Sequence, residues 1–230
     1  MQRSGLCYAI SLSVHHGAHF GIGHARASRY GQSVKDGYWQ RSPVFALVNQ
    51  ASIELSGKTL GIVGYGNIGK TVAQIARSFG MKVLVAARPE TEDSVPAGRV
   101  PVEQLFRESD VVSLHCLLTP QTRNLINQKT LAWMKPTAFL INTARGALID
   151  EGALIDALRK KRLAGAALDV ISREPPPPDH PVILAGQELN NLIITPHTAW
   201  SAREARERLL SEVAENIECF FLGTPRNVVA

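Results

Sequence analysis

The stretch GIVGYGNIGK (residues 61–70) decides how this chain folds. It sets Gly64, Gly66 and Gly69 in a G-x-G-x-x-G spacing. Alone the spacing is weak, because 18 of the 230 residues are glycine and the pattern recurs by chance. The flanks give it meaning. TLGIVG (59–64) is a short apolar run closed by glycine and reads as a buried strand. In IGKTVAQIARSFG (68–80), Ile68, Val72, Ile75, Ala76 and Phe79 fall on one helical face, and Gly80 stops the helix. KVLVAA (82–87) reads as the next strand. Strand, glycine turn, helix and strand together form the setting in which such glycines bind a dinucleotide. Gly64 permits the tight turn, Gly66 lets a pyrophosphate approach the backbone, and Gly69 lets the helix pack close to the strand. Amides at the helix N-terminus then face the phosphates, aided by the helix dipole.

Outward from this unit the alternation continues. VEQLFRES reads as a short helix, DVVSLH (110–115) and AFLINT (138–143) as strands, and EGALIDALRKK as a helix with Asp150 as its N-cap. AGAALDV (164–170) and LIITP (192–196) complete the strands. REPPPPDHP (173–181) reads as a proline-rich loop within the domain. A last helix is expected from Ser201, where SARE has the form of a capping box, with Leu209, Val213, Ile217 and Phe220 as its buried stripe. The fold class is therefore α/β, a Rossmann-like doubly wound parallel sheet with helices on both faces. No internal repeat is present. The expected division is an atypical segment at 1–50, a dinucleotide-binding domain at 51–199 and a C-terminal helix at 200–230. Four of the seven histidines lie between residues 15 and 24. That tract reads either as an atypical segment or as a metal-binding run.

Composition excludes several classes. Hydrophobic residues make up 45% and charged residues 20%, which suits a packed core and argues against disorder. The net charge of +5 is mild, and basic residues alternate with acids in SAREARERLLSEVAENIE, so neither nucleic acid nor a membrane is expected as a partner. Cys7, Cys116 and Cys219 are odd in number and far apart, with no C-x-x-C, which points away from disulfides and zinc. No apolar run approaches a membrane span. LCYAISLSV is short and lacks a convincing cleavage site after it, so a cytoplasmic location is expected.

The second strand ends VAARPE, where an acid would read the ribose hydroxyls of NAD. Ala87 stands there and Arg88 follows. An arginine can pair with a 2′-phosphate, which favours NADP over NAD. The other reading makes Arg88 a surface charge, with Glu90 or Glu92 on the ribose. Three later stretches carry chemistry: INTARGALID (141–150), GAALDVISREPP (165–176) and TPHTAW (195–200). They place Arg145 and Asp169 at or just beyond strand C-termini, with His197 closely following one, at the edge where ligands bind in open α/β sheets. Arg145 offers a planar fork to a carboxylate or carbonyl oxygen. Glu174 can hydrogen-bond a histidine and hold it protonated, and His197 can then give a proton to a carbonyl as hydride arrives at carbon. Each also has a plain structural use, as turn residue, loop charge or cap.

Taken in order, VKDGYWQRSP, ELSGKTLGIVGYGNIG, SLHCLLTPQTRNLI, MKPTAFLINTARGALIDEGAL and LIITPHTAWSAREARER resemble the D-isomer-specific 2-hydroxyacid dehydrogenases from about residue 35 onward. Within that family the nearest likeness is to glycerate dehydrogenases, also called hydroxypyruvate reductases. The resemblance implies an oxidoreductase moving a hydride between NAD or NADP and a small D-2-hydroxy acid or 2-oxo acid, such as glycerate, hydroxypyruvate or glyoxylate. It implies substrate binding by Arg145, an acid partner at Glu174 and proton donation by His197. It also implies that Asp169 holds the nicotinamide carboxamide, that Asn67 and Ile68 belong to the pyrophosphate loop, and that His115, Thr122 and Thr143 line the cofactor. A homodimer formed through the nucleotide domain is implied as well.

Two departures stand out. Leu117 follows Cys116 where the family usually has proline, which would loosen that cofactor loop. The family's separate substrate domain, a source of backbone donors for the substrate carboxylate, finds almost no counterpart before residue 35. Residues 8–34 only faintly resemble the linking helix. A truncated or frame-shifted start is the corresponding expectation. The alternatives to an active reductase are a cofactor-binding or corepressor-like interaction module, and a catalytically impaired fragment.

Overall fold

The computed structural model describes residues 31–47, 53–88 and 95–228. The histidine-rich tract, nearly all of the linking-helix segment, and Glu90 and Glu92 lie outside the described residues. Six parallel strands form one sheet. In chain order they are β1 (Thr59–Val63), β2 (Lys82–Val85), β3 (Val111–Leu114), β4 (Phe139–Asn142), β5 (Gly165–Leu168) and β6 (Leu192–Ile194). From the first strand onward the α-helices are α1 (Asn67–Ser78), α2 (Val102–Glu108), α3 (Gln128–Trp133), α4 (Glu151–Arg159), α5 (Pro181–Glu188) and α6 (Arg203–Phe221).

The strands lie side by side as β2-β1-β3-β4-β5-β6. A parallel bridge from Ala86 to Val100 adds one residue pair beyond β2. Counted with that bridge, the order is the doubly wound one in which the chain reverses direction across the sheet beside β1. The switch point therefore opens between the C-terminal ends of β1 and β3.

Residue alternation along the strands sorts the two faces. Leu60, Ile62, Val111 and Ile141 pack under Val72, Ala73 and Ala76 of α1. Val63, Val112, Leu114 and Leu140 point the other way, into a larger core with Leu105 and Phe106 of α2, Leu131 of α3, Leu154 and Leu158 of α4 and Val182 of α5.

Several elements differ from the sequence expectation. The buried face of α1 runs through Gly69, Val72, Ala73 and Ala76, while Phe79 is the C-cap and exposed. Small residues win the interface because α1 lies close to β1. The proline-rich loop ends at Pro181, which opens α5 as its N1 residue. The helix α3, capped by a reciprocal Asn127–Thr130 box, carries too short an apolar pattern to announce itself. The capping box expected at Ser201 does not form: α6 starts at Arg203 behind Ala202 with no side-chain cap, and Ser201 Oγ donates to the Thr198 carbonyl instead. The buried stripe of α6 is also overturned. No residue of α6 is buried, and Leu209, Val213, Ile217 and Phe220 are all exposed. The stripe is amphipathic as read, but no partner covers it among the described residues. Asp150 does cap α4, accepting from the Ala153 amide at 3.0 Å.

Candidate active site

At the switch point Gly64 adopts φ +96°, the left-handed region that favours glycine. A Cβ there would strike the backbone of His115 and Cys116 at the end of β3. Gly69 sits against the Gly64 carbonyl with no room for a side chain, so α1 enters tight on β1. Gly66 is different: a Cβ on it would meet nothing within 4 Å. The space above the turn is therefore open while the space below is filled. No side chain caps α1, and no acidic residue lies in its first turn. Exposed Asn67 and half-buried Ile68 complete the loop. An open backbone and an uncapped, acid-free helix N-terminus fit a pyrophosphate.

The walls of this crevice come from β2 and β3. Ala87 is buried and exposed Arg88 follows it. A second cation lies here that the sequence reading passed over. Arg99 donates to the Ala86 carbonyl at 3.0 Å, and its guanidinium lies 5.0 Å from the centre of the Tyr65 ring in the glycine turn. Across the crevice, His115 closes β3 through its amide on the Val63 carbonyl, with Nε2 2.9 Å from Ser113 Oγ. Burial pushes the Cys116 thiol up to about 11, so it is no nucleophile at neutral pH. Leu117 is exposed on the crevice rim. The buried Thr122 hydroxyl donates to the Leu117 carbonyl at 2.7 Å and accepts from the Thr119 amide at 2.7 Å, so it closes this loop from within. Thr143 lies half-buried just beyond β4.

The catalytic candidates follow three neighbouring strands. Arg145 comes three residues after β4, Glu174 six after β5 and His197 three after β6, and these strands pair directly. Glu174 Oε2 and His197 Nδ1 are 2.6 Å apart, and Glu174 Oε1 accepts the Ile171 amide at 2.8 Å. The two side chains are 31% and 39% exposed, so the pair is reachable from solvent. His197 holds φ +52°, which is uncommon for a residue other than glycine, and its amide donates to the Asp169 carbonyl at 2.9 Å. The buried Asp169 carboxylate accepts Thr195 Oγ1 at 2.5 Å, the Thr198 amide at 2.9 Å and the Ala199 amide at 2.9 Å. Exposed Arg145 folds back on the Ala144 carbonyl at 2.6 Å. Its own carbonyl accepts Asn142 Nδ2 at 2.9 Å. Among the described residues no group of three or more histidine, cysteine or acidic side chains could hold a metal ion. None of their helices is long and apolar enough to cross a membrane.

Comparison with known proteins gives the family. Residues 22–199 match the profile of the D-isomer specific 2-hydroxyacid dehydrogenase, NAD binding domain. The glycerate dehydrogenase of Methylorubrum extorquens is 43% identical over 201 residues, covering 87% of this chain and 62% of that protein. Among solved structures, an acyclic imino acid reductase in complex with NADPH and D-Arg superposes with a TM-score of 0.79 at 31% identity, over 100% of this chain and 69% of that one. A D-lactate dehydrogenase from Aquifex aeolicus complexed with NAD and lactic acid gives 0.75 at 32% identity, over 93% of this chain and 67% of that one. This chain belongs to the D-isomer-specific 2-hydroxyacid dehydrogenase family and carries its NAD-binding domain. It spans about three-fifths of the length of the curated relatives it matches.

Proposed function

We propose that this chain carries the cofactor-binding and proton-donating part of an oxidoreductase that reduces small 2-oxo acids, of the hydroxypyruvate or glyoxylate class, to D-2-hydroxy acids. The observation that carries the reading is the 2.6 Å contact between Glu174 and His197 at the sheet edge where Arg145 also lies. A bound nicotinamide dinucleotide supplies the hydride. Arg145 swings its guanidinium from the Ala144 carbonyl to the carboxylate or carbonyl oxygen of the acid. With Nδ1 engaged by Glu174, His197 has Nε2 left for substrate. The proton on Nε2 passes to the carbonyl oxygen as carbon gains hydride, leaving a hydroxyl on the product and a neutral imidazole. Glu174 balances the imidazolium before that transfer. Asp169 would accept from the carboxamide of the nicotinamide in this reading, and His115, Thr122 and Thr143 would line the pocket around it.

For the cofactor, Arg88 at the end of β2 supports NADP over NAD. Arg99 adds a second cation at the same strand end. A homodimer, a nucleotide-binding unit at 51–199 and a separate C-terminal helix at 200–230 complete the proposal.

The test has two parts. Energy transfer from tryptophan to bound NADPH or NADH reads cofactor binding. Turnover of hydroxypyruvate and glyoxylate is then followed in a protein carrying the full length of the relatives. His197→Ala should lose about 10²–10⁴-fold in turnover and keep its cofactor affinity. Retained turnover in that variant would overturn the role given to His197.

A further inference from the structure

Two consecutive amides leave β5 toward the site and end on two different carboxylates. The Ile171 amide donates to Glu174 Oε1 at 2.8 Å, and the Ser172 amide donates to Glu151 Oε1 at 2.6 Å. Ser172 Oγ donates to the other oxygen of Glu151 at 2.8 Å. Glu151 is the first residue of α4, and its side chain is only 14% exposed. His180, 7% exposed, places Nε2 3.7 Å from Glu151 Oε2. The Nδ1 atom of His180 accepts the Val182 amide at 3.3 Å, so the proton of the neutral ring sits on Nε2, toward Glu151. One nearly buried carboxylate thus joins the start of α4, the turn after β5 and the cap of α5. Gly146 backs onto the same turn from β4, where a Cβ would collide with the Ile171 carbonyl and the Ser172 amide.

We propose that Glu151 is a positioning residue for the Glu174–His197 pair, acting through Ser172 and the turn that carries Glu174. Glu174 reaches back over only three residues to the Ile171 amide. Its carboxylate is therefore only as fixed as that turn. On one side the turn rests on Gly146, next to Arg145, and on the other it is tied by Glu151. Release of the Glu151 tie lets Ser172 turn to water and lets Glu174 Oε2 move off His197 Nδ1. A displacement on the order of 1 Å is enough to cost substantial rate at a reacting centre. This inference rests on the reductase reading for its effect on rate, but not for its effect on the histidine.

The first measurement needs no activity. In the 230-residue chain, side-chain ¹⁵N chemical shifts of His197 report which ring nitrogen carries the proton when the ring is neutral. The resonance is assigned by its loss in His197→Ala. The expected result is a dominant Nδ1–H form in the parent and in Glu151→Gln, which keeps an acceptor for the Ser172 amide. Glu151→Ala should give a mixed tautomer, as Glu174→Gln should. The second measurement uses a protein carrying the full length of the relatives. Glu151→Ala should lower kcat about ten-fold while KM and cofactor Kd stay within about two-fold, and Glu151→Gln should restore most of the loss. Unchanged ¹⁵N shifts in a folded Glu151→Ala overturn the proposal. If Glu151→Ala fails to fold, Ser172→Ala decides instead: it removes only the Oγ tie, and an unshifted tautomer there overturns the proposal equally. Absence of 2-oxo acid turnover in the parent would sink the reductase reading and leave the tautomer result standing.

Discussion

Ala87 and Arg88 follow β2, where the proposed function has the ribose of a bound dinucleotide read, and in that proposal their side chains set the choice of cofactor. Ala87 is buried and brings no carboxylate of its own to the ribose hydroxyls, and Arg88 is exposed beside it. Arg88→Ala is expected to weaken NADPH more than NADH, and Ala87→Asp to favour NADH. A charge-assisted contact to a phosphate is worth roughly 1.5–3 kcal/mol, about ten-fold or more in affinity. Equal weakening of both cofactors would show that Arg88 does not read the 2′-phosphate. The same titration on Arg99→Ala asks whether the cation over Tyr65 shares the task. Residues of this kind differ in how readable they are. His197 could be named from its place after a strand end and Glu174 as an acid able to pair with a histidine, and the structure brings them to 2.6 Å. Arg99 and Glu151 could not. In sequence they look like solvated charges, and what marks them is contact with residues 13 and 21 positions away. Asp169 was legible at a strand end, but not its hold on Thr195, Thr198 and Ala199, which depends on how the loop after β6 folds back.

Elements meet at Asp110, between α2 and β3. Its Oδ2 accepts the Thr59 amide that starts β1 at 2.8 Å, and its Oδ1 takes Lys135 Nζ from beyond α3 at 2.9 Å. Lys135 also donates to the Glu108 carbonyl at the end of α2, at 2.8 Å. Burial raises the Asp110 pKa, but the Thr59 amide and the Lys135 ammonium outweigh it and hold the carboxyl below its ordinary 3.8. A group with a depressed folded value stabilises fully above its unfolded value and loses that contribution as pH falls through the folded one. Asp110→Asn should therefore lower Tm at pH 7 by about 2–4 °C, and by much less at pH 3 and below. Melting curves at the two values check this, and an equal deficit at both would refute the charged role. The strands and α4 were legible because short apolar runs and an Asp cap are local signals. α3 was missed because six residues give too little period, and α5 because its opening proline closes a run of loop prolines. The face of α1 was displaced because glycine and alanine, which carry no strong apolar signal, make the close contact with β1.

Among the described residues the nucleotide crevice is complete and a long helix is left bare. Every described strand from Thr59 to Ile194 joins the sheet, so the glycine turn, both walls of the crevice and the Glu174–His197 pair are formed without help. In contrast, α6 runs for 19 residues with none buried, and Phe220 and Phe221 are 70% and 81% exposed. The amphipathic period of α6 was legible; its lack of cover was not, because burial depends on what stands opposite. These 230 residues also span about three-fifths of the relatives' length. On the proposed reading, Arg145 is the described side chain offered to a substrate carboxylate. If nothing further closes over that site, water would reach the nicotinamide and the reacting carbon would not be held near hydride distance, terms that together account for several kcal/mol of barrier. The 230-residue chain by itself should bind NADPH or NADH, turn over hydroxypyruvate very slowly and associate through the apolar face of α6. Titration, a steady-state assay and sedimentation check the three parts in one preparation. Phe220→Ser with Phe221→Ser should weaken association without changing cofactor affinity, since neither residue borders the crevice. Turnover within about ten-fold of a typical enzyme, on the order of 10 s⁻¹, would show that these residues hold a 2-oxo acid productively unaided and would end this account of the molecule.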